Sequence, residues 1–175
     1  MELQILLKNY NAKLQQYECV MQVVESLCSQ IPAVTGSLKI QGLGLIMIAD
    51  LFAEIGDIRR FESLRQLQKL VGLVITKNGS GKHNGSAEIS RRSRVRLRAI
   101  LFRVVIVLLA KKRKFQLLHR YYTTRQDNPL KKLQSIIAIC CKLLQVFYAV
   151  ATKGCAYSPK KMLANIQRNH LLIAA

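Results

Sequence analysis

One serine of the chain stands between two glycines, in Asn78-Gly79-Ser80-Gly81-Lys82. On a turn of that kind a hydroxyl can be presented to a bound strand. It is a poor nucleophile until a base or a cation activates it, and Lys82 lies two residues on. Gly-Ser-Gly is also common linker composition, so these residues alone leave both readings open. Just beyond them come Arg91, Arg92, Arg94, Arg96 and Arg98, five guanidinium groups within eight residues. Written as a helix, Arg91, Arg94 and Arg98 share one face, with Arg92 and Arg96 at its flanks. Like charges that close repel one another, and a merely solvated face usually mixes both signs. The cluster therefore points to an anionic partner clamped through phosphate oxygens, with steep salt dependence. Lys111-Lys112-Arg113-Lys114 extends the basic surface.

A second candidate is the turn Gly42-Leu43-Gly44, followed by an amphipathic stretch. A helix-hairpin-helix presents backbone N–H groups to a phosphate in this way, and Gly42 and Gly44 let the chain approach closely. An ordinary helix–helix turn has the same composition. Tyr121 and Tyr122, beside His119 and Arg120, read as packing residues with wet hydroxyls rather than as nucleophiles. The nine acids form no convergent set of the kind a two-metal nuclease needs. Five cysteines, Cys19, Cys28, Cys140, Cys141 and Cys155, include no C-x-x-C pair and no histidine at ligand spacing. They read as buried thiols of a reducing compartment, not as zinc ligands.

These groups sit on a chain of 175 residues, enough for one modest core plus an appendage. Twenty-eight Lys and Arg against nine Asp and Glu give a net charge of +19, which attracts nucleic acid or an anionic membrane. The run Ala99–Ala110 is twelve residues long and is broken by Arg103, short of the roughly 20 that a bilayer requires. Ile136–Ala151 is longer but carries Lys142 and Gln145. Met1–Tyr10 lacks the basic start and apolar block of a signal peptide. The expectation is a cytoplasmic protein without a membrane partner.

The elements read as helices throughout. Leu3, Leu7, Tyr10, Leu14, Tyr17, Met21, Val24, Cys28 and Ile31 keep a 4, 3 spacing, a heptad seam suited to a coiled coil or to a helix packed on its own domain. Pro32 ends it. Thr35-Gly36 opens a link, Leu45–Ile55 is a helix stopped by Gly56, and Ser63–Leu70 is another. A turn-rich loop spans Lys77–Glu88. Helix resumes near Arg91 and runs to about Arg120. Leu130–Thr152, with a polar stripe of only Gln134, Lys142, Gln145 and Thr152, should be the central helix. No strand pattern stands out. The expected fold is all-α: a coiled-coil-like helix over 1–32, a helical domain with the hairpin-like turn over 33–157, and a loosely tied basic tail over 158–175.

In this order the pieces resemble the transposase family of insertion sequence 110, with its 116 and 902 branches. The resemblance runs from Gly42-Leu43-Gly44 through Ala53-Glu54-Ile55-Gly56-Asp57, Arg60-Phe61, Gln66-Leu67, Gly72-Leu73-Val74 and Ser80-Gly81. It continues through Ile89-Ser90-Arg91, Leu97-Arg98 and Leu143-Leu144, then Tyr148, Lys153-Gly154 and Tyr157, ending near Pro159. It implies a serine-bearing domain that a coiled-coil link joins to a ribonuclease-H-like domain. Ser80 would be the nucleophile that joins DNA, and Arg91 and Arg98 would contact DNA or phosphate. A structured guide RNA would direct target choice, on nucleoid DNA of a prokaryote. No cofactor is expected in this chain, since a divalent metal would belong to the acidic domain. A homodimer, or pairing with a full-length relative, would use residues 3–31.

The sequence also departs from the family. Gln41 and Ile75 replace prolines, and Ser93-Arg94 replaces a Gly-Asn. The acidic domain does not precede the match, so the expectation is a truncated copy that binds nucleic acid but does not recombine it alone. The competing readings are a stand-alone basic nucleic-acid-binding module without catalysis and, third, a basic helical protein on a membrane surface.

Overall fold

The structure, a computed structural model, describes residues 1–77, 87–89 and 93–164. The fold is all-α, and its core is built around the helix the sequence marks as most apolar. That helix, α7 (Lys132–Lys153), buries Ile136, Ile139, Cys140, Leu143, Leu144, Phe147 and Val150 and ends at Gly154 in the left-handed conformation. It touches α2 (Pro32–Leu38), α4 (Leu64–Val71), α5 (Val95–Lys111), α6 (Arg113–Thr124) and the 3-10 turn Ile58–Arg60. By length and composition α7 could cross a membrane. Here one face of the helix is buried against its neighbours, although Leu133 is exposed, and Phe147 meets Phe52 edge to face at 6.1 Å.

Helix α3 (Leu45–Ile55) has the bounds its sequence announces. Ile48, Leu51, Phe52 and Ile55 fall on one face and are buried, and Gly56 at φ +73° stops the helix where a side chain would be strained. Helix α4 begins after Ser63 and ends at Gly72, with the Leu73 amide donating to the Gln68 carbonyl in a Schellman closure. Between α4 and α5 lies a feature that the sequence does not signal, a two-stranded antiparallel ribbon. Its strands are β1 (Ile75–Lys77) and β2 (Ala87–Ile89), with Thr76 opposite Glu88. Three residues per strand are too few to show an alternating pattern.

Several boundaries differ from expectation. Pro32 does follow the end of α1 (Glu2–Ser29), but it also opens α2, at a position where its missing N–H costs nothing. Thr35 and Gly36 are therefore helical rather than a link, and Gly36 lies against Val150 of α7. Helix α5 starts at Val95, not near Arg91, and the expected run to Arg120 breaks at Lys112, whose backbone is extended. The Gln116 amide closes that break by donating to the Leu109 carbonyl at 2.8 Å. Of the expected tail, residues 159–164 are helical and Met162 is buried. Cys28 and Cys140 are buried as expected, but Cys19 and Cys155 are exposed.

Helix α1, about 42 Å long at 1.5 Å per residue, touches the body only near its end, through α2 and α3. Cys28 is buried and Val24 partly so, whereas Leu3, Leu7, Tyr10, Leu14 and Tyr17 are exposed. Packing among the described residues therefore does not account for the seam.

Candidate nucleic-acid interface

The glycine turn sits where α2 gives way to α3. Gly42 has φ +104°, and a Cβ there would meet the Lys112 side chain at 2.6 Å and Leu108 at 3.3 Å. The turn is thus packed on the α5–α6 junction, with the basic run Lys111–Lys114 beside it. Gly44 caps α3 in an extended conformation and faces open space. No acidic residue occupies the first turn of α3, so the turn carries no charge that would repel a phosphate.

The described arginines of the cluster gather at the other end of α3. That helix separates the two candidate regions by about 16 Å, from eleven residues at 1.5 Å each. Arg94 is not on a helical face with its neighbours, because it is the extended residue that precedes α5. Its amide donates to the Leu70 carbonyl at 3.3 Å, and its guanidinium donates to the Glu54 carbonyl at 2.6 Å. Arg96 pairs with the Glu54 carboxylate at 3.0 Å. Arg98 donates to the Ser93 hydroxyl at 3.0 Å. The cluster is therefore partly compensated by an acid forty residues away, which no local pattern could reveal. Ser80, Lys82, Arg91 and Arg92 lie outside the described residues.

Two further arginines, neither of them part of the basic cluster, finish the same corner. Arg60 donates to the Ile55 carbonyl at 2.8 Å and lies 4.8 Å above the Phe61 ring. Arg59 holds Asp57 through paired contacts of 3.1 and 3.2 Å, which lowers the Asp57 carboxyl below its ordinary value. The motif Glu54-Ile55-Gly56-Asp57 is the local signal here, because acids at a helix C-terminus invite cations. Among the described residues no three His, Cys, Asp or Glu converge to hold a metal. The acids Glu54 and Asp57 are instead engaged by arginine.

Tyr121 and Tyr122 stack tilted at 5.6 Å. Burial is the main cause that pushes the Tyr122 hydroxyl above its ordinary value, which suits packing rather than nucleophilic attack. His119 is engaged elsewhere, with its Nδ1 2.8 Å from the Ser135 hydroxyl of α7.

Two comparisons bear on this arrangement. Residues 38–123 match the model of the family described as Transposase IS116/IS110/IS902. That span takes in the glycine turn, α3, the position of Ser80 and the whole arginine cluster. The likeness of Leu143–Tyr157 to a closing family helix lies beyond it. Over 71 residues the chain is also 35% identical to the transposase for insertion sequence element IS1111A of Coxiella burnetii (strain RSA 493 / Nine Mile phase I). That match covers 41% of this chain and 20% of the relative, so the chain spans about a fifth of the length of the protein it matches. In the order of its motifs and in these two likenesses, the segment 38–123 is similar to the IS116/IS110/IS902 transposase family.

Proposed function

We propose that this chain carries the DNA-handling part of an insertion-sequence transposase. The observation that carries the reading is that one family match spans both the glycine turn and the arginine cluster, on a chain of net charge +19. Gly42 and Gly44, with Lys112 beside them, contact one stretch of phosphate backbone. Arg91, Arg92, Arg94 and Arg98 contact another. Ser80 is the nucleophile: its oxygen attacks a DNA phosphorus, a serine–phosphate ester forms, and the displaced sugar oxygen leaves with a proton. Lys82 supplies positive charge next to that serine. A ribonuclease-H-like domain, with any divalent metal it binds, acts with Ser80, and a structured RNA selects the target. The exposed apolar seam of α1 favours pairing with a second copy or with a full-length relative.

The experiment is fluorescence anisotropy of labelled duplex DNA with the whole chain across a salt series. Binding should weaken with a log–log slope of about −4.5 or steeper, given about 0.9 per neutralised phosphate and five or more contacts. Ser80→Ala should keep that binding and lose any covalent adduct. A chain that binds neither duplex DNA nor structured RNA at low salt would refute the reading.

A further inference from the structure

The Glu54–Arg96 pair stands at the foot of the arginine cluster. Glu54 lies in the last turn of α3, where the carbonyl end of the helix disfavours a negative side chain unless cations answer it. Two do. Arg94 holds its main-chain oxygen at 2.6 Å, and Arg96 holds its carboxylate at 3.0 Å. The Arg94 contact pins the backbone of Glu54, so the carboxylate stays within reach of α5. Its side chain is 21% exposed and that of Arg96 is 75% exposed. The Arg96 side of this ion pair is open to water, so a solvent-borne anion can compete for its guanidinium. A carboxylate and a phosphate offer a guanidinium the same acceptor geometry, so each can replace the other.

We propose that Glu54 is a built-in occupant of a phosphate site: it holds Arg96 in the free protein and yields it to a nucleic-acid phosphate on binding. The inference deepens the proposed function and rests on it. Glu54 then lowers affinity for any polyanion that cannot reach Arg96, and it keeps the guanidinium oriented across the end of α3. Removing the carboxylate spares the complex the cost of breaking that pair. Because the helix end disfavours that charge, the change leaves the fold intact.

The test is anisotropy with fluorescein-labelled duplex DNA of arbitrary sequence, from 50 to 200 mM salt. It compares the wild type, Glu54→Gln, Arg96→Gln, the double variant, and Glu2→Gln in the first turn of α1, at the opposite end from its contacts with α2 and α3, as the same charge change away from the cluster. Glu54→Gln should bind more tightly than Glu2→Gln with the slope unchanged, because Arg96 reaches the same phosphate in both, whereas Arg96→Gln should flatten the log–log slope by about 0.9, the value for one lost phosphate. The affinity of Arg96→Gln should therefore fall about 3.5-fold less than that of the wild type over this fourfold salt range. In the Arg96→Gln background the gain should vanish. If Glu54→Gln matches Glu2→Gln, or its gain survives without Arg96, the exchange is refuted while the proposed function stands. A wild type that fails to bind at 50 mM salt overturns both. Circular dichroism melts establish that each variant is folded, and Arg96→Gln tests the same pair from its other side.

Discussion

Gly36→Ala separates what helix propensity demands from what packing permits. Alanine in place of glycine within a helix is favourable by about 1 kcal/mol. Gly36 lies inside α2, so on an open surface the change would stabilise the protein. In the fold, an added Cβ lands 2.6 Å from Cγ1 of Val150, closer than real carbon contacts allow. Val150 is buried, and its β-branched side chain cannot swing aside without leaving its rotamer. Overpacking of this kind costs 1–3 kcal/mol, so with about 2 kcal/mol taken as typical the net effect is destabilisation by about 1 kcal/mol. Urea unfolding followed at 222 nm should show a midpoint lowered by about 0.5 M, for a slope near 2 kcal/mol/M. With Val150→Ala in place the methyl has room, and Gly36→Ala should stabilise by about 1 kcal/mol. The cycle thus predicts a coupling of about 2 kcal/mol. If Gly36→Ala raises the stability of the wild-type chain, α2 does not lie on α7 as described and the argument fails.

Two other outcomes follow from the same core. Tyr148→Phe removes a hydroxyl that donates to the Phe61 carbonyl at 3.0 Å, tying α7 to the end of the 3-10 turn. It should cost about 1 kcal/mol in urea unfolding, and no loss would mean that the contact contributes nothing. Burial pushes the Cys140 thiol up from 9.0 to about 12, so the fold favours its protonated form. That stabilisation is fully present below pH 9 and is lost as pH rises through about 12, so thermal melts should show alkaline softening over that window. Cys140→Ser should remove its share of this dependence and leave that of Cys141, Tyr122 and Tyr157, whose burial acts in the same direction. In native protein at pH 8, a maleimide should label the exposed Cys19 and Cys155 well before the buried Cys28 and Cys140. Equal labelling rates would contradict the packing of α7.

Local chemistry made much of this protein legible without a structure. The bounds of α3 follow from an apolar stripe and Gly56, and α7 declares itself by being apolar almost all round. The heptad spacing of α1, the charge of +19 and the motif order all lie along the chain, where caps, periods and spacings act over a few residues. Tertiary contacts decided the rest. Gly36 has the composition of a linker, and only the approach of Val150 makes it a packing residue. Lys112 breaks a run with no proline or glycine at that point, on the junction where the Gly42 turn packs. Residues 159–164 read as tail, yet Met162 finds a place in the core. The arginines read as uncompensated because Glu54 stands forty residues from Arg94. Secondary structure is set largely by near neighbours in sequence, so those neighbours announce it. Whether a charge is paired or a glycine enclosed depends on groups brought together only when the chain folds.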